Sequence, residues 1–306
     1  MADHQLPPKA ALAAPVLFVV LWSTGFIGAK LGLPHAEPLT FLAVRFLLTA
    51  ALMTAVAVLT RAGWPRGGRA LAHLAMAGCL LNTVYLGCVY VAISRGIGAG
   101  TSALIVSLQP MLVGAVAGPL LGETISRRQW LGLALGLCGC GMVVWPKLGT
   151  GEGDGWGLLL CVAALLGITA GTLYQKRFCQ GMDLRSGSAV QFWASGLTTT
   201  AAALSLESLR IEWTAELTAV LAWLILVVSL GAITLLYLLI RSGAASRVAA
   251  LFFLVPPTTA AMAWAIFGET LSLLQLGGMA VAAAGVAVVT GAGAARPAPD
   301  RGPRRR

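Results

Sequence analysis

A stretch that begins at Pro110 and ends at Gln129 occurs twice in this chain. Pro110, an apolar run, Gly122-Glu123-Thr124, Ser126 and Gln129 return 146 positions later as Pro256, Gly268-Glu269-Thr270, Ser272 and Gln275. Arg95 and Arg241 hold the same register. It extends back without a gap through Leu12/Leu158, Val16/Val162, Gly25/Gly171, Lys30/Lys176 and Phe46/Phe192, with Ser23/Thr169 and Glu37/Asp183 as conservative pairs. One offset maintained across 306 residues means two copies of one structural unit.

Composition says what solvent that unit faces. Hydrophobic residues make up 58% of the chain, charged residues only 10%, and mean hydropathy is +0.85. A soluble domain carries about 25% charged residues, so this chain cannot coat a water-facing surface. Its apolar runs of about 18–25 residues match the helix length that crosses the hydrocarbon core. Ten spans are predicted, at 12–33, 38–60, 71–93, 98–121, 128–146, 155–176, 186–206, 216–240, 245–267 and 272–292. Short turns rich in Gly, Pro and charge separate them, and no connection is long enough for a soluble domain. The expectation is an all-α membrane protein.

Charge then orients it. With the N-terminus inside, sixteen Lys and Arg fall in inner segments and four (Lys30, Arg95, Lys147, Arg210) in outer ones, Arg45 lying within a span. That bias predicts a multi-pass inner (plasma) membrane protein with both termini cytoplasmic. Each copy holds five spans, an odd number, so the second must enter the bilayer upside down. The predicted fold is ten transmembrane helices as two inverted five-helix repeats. Residues 1–11 form a cytoplasmic N-terminus, 12–146 and 155–292 the repeats, and 293–306 a disordered basic tail that touches anionic lipid. The net charge of +10 therefore belongs to topology and lipid, and no nucleic-acid partner is expected. Six cysteines without a Cys-x-x-Cys pair and three scattered histidines suggest packing residues, with no metal and no cofactor.

Trp22-Ser23-Thr24-Gly25-Phe26, the run from Pro38 to Arg45-Phe46, and Pro110 through Gly122-Glu123-Thr124 resemble the EamA-type drug/metabolite transporters. The likeness covers residues 12–292, and the tandem arrangement is its specific part. It implies two EamA domains forming one ten-helix secondary carrier. Such carriers are usually exporters of amino acids, related metabolites or drugs, with a central cavity between the halves.

Candidate site residues follow from polarity inside lipid. Ser126-x-x-Gln129 and Ser272-x-x-Gln275 fit capping boxes, which makes Gly-Glu-Thr a corner between helices. The other reading makes Glu123 and Glu269 titratable gates. Pro110 and Pro256 each free a backbone carbonyl near mid-span, tolerated in hydrocarbon only where protein or a wet cavity satisfies it. Trp22, Ser23, Asn82, Tyr85, Gln109, Thr169 and Ser229 lie at comparable depth as candidate substrate contacts. Asn82 and Tyr85 are spaced to share a helix face. Arg45 either snorkels to the outer surface or points inward at an anionic group, and its repeat partner Gln191 is also polar.

The function expected is a secondary transporter that exports small amphipathic metabolites, such as amino acids or drugs, by alternating access, as a monomer or homodimer. A membrane-embedded enzyme or a channel is the alternative. No lysine precedes Ser or Thr, so there is no Walker A loop. Gly151-Glu152-Gly153-Asp154 has the Gly-x-Gly-Asp of intramembrane aspartyl proteases but lies in an outer turn without a second intramembrane Asp. The spans contain Arg45 and no deep carboxylate, which predicts a neutral, zwitterionic or weakly anionic solute.

Overall fold

Ten helical spans follow one another in the computed structural model, which describes residues 8–97, 102, 105–121, 125–145, 155–242, 245–267 and 271–291. They are α1 (Pro8–Gly32), α2 (Pro38–Leu59), α3 (Gly68–Ser94), α4 (Gln109–Leu121) and α5 (Arg127–Val144) in the first half. The second half has α6 (Gly155–Phe178), α7 (Leu184–Leu206), α8 (Ala215–Trp223, Leu224–Ala232 and Ile233–Ser242 end to end), α9 (Ala245–Ala250, Leu251–Leu254 and Val255–Phe267) and α10 (Leu273–Gly291). Among the described residues, seven of these, all but α4, α5 and α7, are by length and composition alone apolar enough to cross a membrane. Among those three, α5 opens on Arg127-Arg128-Gln129, and α7 buries Ser186, Ser188, Gln191, Ser195 and Thr199 inside the bundle. Leu158, Leu159, Val162 and Leu166 stand exposed along one side of α6, as a lipid-facing stripe should.

The halves pack as images of each other. Three helices each meet their own counterpart, α5 on α10, α2 on α7 and α4 on α9. Further contacts come in exchanged pairs: α3 packs on α6 as α8 does on α1, and α4 packs on α6 as α9 does on α1. Contacts that survive exchange of the halves define a two-fold relation. Five spans per half put its axis in the membrane plane.

Small residues make the tightest of these seams. A Cβ built on Gly278 of α10 would lie 2.7 Å from the Gly139 carbonyl oxygen of α5, and one on Gly285 would lie 2.7 Å from that of Gly132. Only glycine lets the backbones approach so closely. The Gly-x-x-x-small spacing of both helices therefore serves packing inside one chain. Capping boxes start both helices: Ser126 accepts from the Gln129 amide at 3.2 Å while Gln129 accepts from the Ser126 amide at 2.9 Å, and Ser272 and Gln275 repeat the pair.

The helices are also irregular at matching places. A π-helical segment, Cys79–Val84, interrupts α3, and Leu224–Ala232 interrupts α8 at the position 146 residues on. Ser107 and Leu108 form a turn before α4, which interrupts the span expected over 98–121. Their counterparts lie in the 3₁₀ segment Leu251–Leu254 of α9. Prolines explain both breaks, because Pro110 and Pro256-Pro257 cannot donate to the helical ladder. The Phe253 carbonyl that Pro257 leaves free accepts from the Cys140 thiol at 3.2 Å.

Two interlocked connections close the ends. The α1–α2 and α7–α8 turns pair through an antiparallel bridge, Ala36 with Ile211, and Glu37 donates its amide to the Arg210 carbonyl. The α2–α3 and α6–α7 turns, their repeat images, meet through Ser186, which donates to the Gly63 carbonyl at 2.7 Å.

Candidate functional site

α1, α2, α3 and α8 enclose a pocket lined by Trp22, Gly25, Phe26, Arg45, Tyr85, Leu86, Val89, Tyr90, Val228 and Ile233. It holds about 390 Å³ of space between atoms, part of it continuous with the outside. Arg45 lies seven residues after Pro38, the first residue of α2. Helix rise puts it about 10 Å below the α1–α2 turn. The pocket thus occupies the half of the bundle nearer that turn.

Arg45 points inward and is only 2% exposed, which excludes the snorkelling alternative. Its Nε and Nη2 both donate to Ser229 Oγ, each at 3.2 Å, and the guanidinium stands 6.0 Å from the Phe46 ring centre. Among the described residues no carboxylate pairs with it. A buried cation normally pairs with an anion, because the desolvation cost is otherwise uncompensated. Here neutral hydroxyls, those of Ser229 and Tyr90, take that place. The π segment of α8 carries Ser229, so a helix irregularity positions the acceptor.

An aromatic wall completes the site. The sequence has nine tryptophans; eight are exposed on the periphery, and Trp22 alone is buried. Its ring runs parallel to that of Tyr85, with centroids 6.4 Å apart, and meets Phe252 edge-on at 5.3 Å. The Tyr90 hydroxyl is buried against the Arg45 guanidinium, which can only donate to it, so its own proton has no acceptor among the described residues.

Four sequence candidates thus come together: Trp22, Arg45 and Tyr85 line the pocket, and Ser229 holds Arg45. The others go elsewhere. Ser23 donates to the Val19 carbonyl at 2.7 Å and reaches the Val255 carbonyl of α9 at 3.4 Å. Thr169 donates only to Leu165 of its own helix. Gln109 donates to Thr172 at 3.2 Å, Asn82 to Ser195 at 3.2 Å, and Gln191 to Gln175 at 3.0 Å. Pro110 and Pro256 are buried at the helix breaks. Glu123 and Glu269 lie outside the described residues.

Asn82 and Tyr85, spaced to share a helix face, take different partners. Asn82, inside the π segment Cys79–Val84, turns to α7, and Tyr85, just after it, to α1, since a π turn is wider than an α turn. Sequence reasoning also passed over Tyr90, Phe26 and Val89. A signal for Tyr90 was present, since a tyrosine hydroxyl deep in an apolar span needs a partner that the span does not supply.

Two carboxylates outside the spans are held ionised. Hydrogen bonds from the Arg210 and Ser208 amides keep Glu37 below its ordinary value. The Arg185 guanidinium, bonded at 2.7 Å, does the same for Asp183.

Known proteins supply the class. The profile of the EamA-like transporter family matches residues 9–145 and again 155–291, and the chain belongs to that family. This is a family of transporters, not enzymes, and each match covers one of the two halves. The uncharacterized transporter YvbV of Bacillus subtilis is 26% identical over 294 residues, 93% of each chain. A probable amino-acid metabolite efflux pump of Salmonella typhimurium is 26% identical over 89% of this chain and 91% of its own. The uncharacterized inner membrane transporter YedA of Escherichia coli is 26% identical over 93% of this chain and 91% of its own. A crystal structure with 17% sequence identity superposes with a TM-score of 0.77 over 93% of this chain and 98% of that one, which shows the shared fold.

Proposed function

We propose that this EamA-family transporter is a secondary carrier exporting small amphipathic metabolites from the cytoplasm by alternating access, with its cargo in the Trp22–Arg45–Tyr85 pocket. The observation that carries this reading is a buried guanidinium and an aromatic wall facing one cavity inside an inverted-repeat bundle. Apolar walls with a few placed polar groups are what a small-molecule site requires. Matching irregularities in α3 and α8, and in α4 and α9, give the halves equivalent places to bend. Rocking of one half against the other would then expose the pocket to each side in turn.

Export accords with the Salmonella relative named as an efflux pump, and an inner-membrane setting with the Escherichia relative named as an inner membrane transporter. Both termini are proposed to be cytoplasmic, from the excess of Lys and Arg in the connections on that side. The basic tail after residue 292 is proposed to rest on anionic lipid, and one chain to be the working unit, since α5 and α10 use their small-residue faces on each other. Counterflow in proteoliposomes tests the carrier reading. Solute preloaded on the far side should accelerate uptake of labelled solute, with saturation; flux without trans-stimulation would mean a channel.

A further inference from the structure

We infer that the cargo is recognised as a carboxylate by Arg45 and Tyr90, and that its class is monoanionic acids with an aromatic or apolar body and no free ammonium group. The inference rests on the carrier reading in taking this pocket as the cargo site, and adds the chemistry of what enters it.

Three observations carry it. First, Arg45 is almost wholly buried and lines the pocket, yet spends only Nε and Nη2, both on one hydroxyl. A guanidinium presents five N–H donors in a plane that matches the two oxygens of a carboxylate. Two bonds to Ser229 and a contact with Tyr90 do not use up the guanidinium's donors, so donors remain for an anion. Second, the Tyr90 hydroxyl, buried against Arg45 and lining the same pocket, has no acceptor for its proton among the described residues. An orphaned donor next to an uncompensated cation is the arrangement a bound carboxylate would satisfy on both counts. Third, every other side chain in the lining is apolar or aromatic, and none is acidic. A free amino acid would bring an ammonium group into a space with an arginine and no carboxylate. Like-charge proximity and loss of hydration both disfavour it.

The rest of the lining sorts candidates further. Trp22, Phe26 and Tyr85 offer ring faces and edges, while Leu86, Val89, Val228 and Ile233 offer aliphatic walls. Aryl-alkanoic acids, aromatic 2-oxo acids and N-acylated apolar amino acids carry the matching pair of features. Dicarboxylates do not, because a second charge would be left unpaired in the apolar end.

Binding to the purified full-length protein by isothermal titration calorimetry tests this at neutral pH. The probes are 3-phenylpropionate, its methyl ester, phenethylamine, N-acetylphenylalanine and phenylalanine. The expected order puts 3-phenylpropionate and N-acetylphenylalanine about 10-fold or more ahead of the ester and of phenylalanine, with phenethylamine last, as hydrogen bonds to a charged group require. Arg45→Gln, which installs the residue of the equivalent repeat position, should erase the acid-over-ester preference. Tyr90→Phe should reduce that preference about 3- to 10-fold. Arg45→Lys should retain part of it, which a purely structural arginine would not predict.

Equal binding of acid and ester by the wild type overturns the inference, as does an acid preference that survives in Arg45→Gln. Tighter binding of phenethylamine overturns it too, by showing that the aromatic wall receives cations. Should Arg45→Gln fail to fold, the wild-type acid-to-ester ratio and Tyr90→Phe decide. Counterflow separates the two readings. If neutral or cationic solutes exchange but acids neither bind nor exchange, this inference falls and the carrier stands; if acids bind but nothing shows trans-stimulation, the carrier reading falls.

Discussion

Arg45 and Gln191 occupy the same position in the two repeats, on helices that pack against each other, and they have built different surroundings. Arg45 faces a cavity with hydroxyls as its partners and aromatic rings around it. Gln191 faces a neutral polar cluster: it donates to Gln175, with Asn82 on Ser195 and Tyr237 nearby, and its own Oε1 accepts no hydrogen bond among the described residues. The scaffold is duplicated and the chemistry is not. Duplication provides two halves built alike, and divergence at this position gives only one of them a charge. The paired bundle is thereby polarised on one side of its two-fold relation, with neutral side chains at the equivalent place.

Paired substitutions at positions 146 apart break or sharpen that contrast. The largest effect is expected at the pair itself. Arg45→Leu should cut transport of an acidic solute by roughly 30-fold or more, because a partnered buried charge is lost. Gln191→Leu should cut it by less than about 5-fold, the value of a neutral hydrogen bond. The melting temperature of Arg45→Leu should hold or rise, since a buried cation without a counter-ion is costly to fold around. Equal transport losses in the two variants would remove the asymmetry.

A middle effect is expected at the end connections. Glu207 of the α7–α8 turn accepts from the Leu39 and Thr40 amides and the Thr40 hydroxyl, all at 2.8 Å, and so caps α2 from across the bundle. Glu207→Ala should cost about 1–2 kcal/mol. Asp183, which caps α7 locally through the Arg185 amide, should cost about 1 kcal/mol or less on replacement by Ala. Thermal unfolding of both variants ranks them.

The titration of Glu37 and Asp183 has a defined sign. Their folded values are lowered from 4.5 and 3.8, so their stabilisation is complete above those ordinary values and is lost as pH falls through the lowered ones. Melting temperature should therefore be flat in respect of both groups from about pH 6 to 8 and fall only below about pH 4. Any transport optimum near neutrality should survive Glu37→Gln; its disappearance would make that carboxylate a coupling group.

The smallest effect is expected at Ser23 and Thr169. Ser23 adds a bond to α9 beyond its own helix, and Thr169 does not. Ser23→Ala should cost about 0.5–1 kcal/mol and Thr169→Ala about half that or less.

Much of this architecture was legible in the residues. The ungapped offset, the apolar runs and the odd span count lead to the inverted ten-helix bundle. Ser126/Gln129 and Ser272/Gln275 announce the capped helix starts that the structure contains. The π segments were not legible, because Cys79–Val84 and Leu224–Ala232 have no composition that separates a π turn from an α turn. That blind spot mattered at the site: it parted Asn82 from Tyr85 and obscured how Ser229 would reach Arg45. Helical spacing identifies a residue's face only while the helix stays regular. Tyr90, by contrast, was legible as a hydroxyl deep in an apolar span.

The most direct test places a ligand. In crystals of the protein grown with 3-(4-bromophenyl)propionate, the bromine's anomalous signal should appear between α1 and α3 beside Trp22 and Tyr85, with the carboxylate on Arg45 and Tyr90. A signal in the cluster around Gln191 and Gln175 instead would contradict the claim that the two repeats have divided scaffold from chemistry in this way.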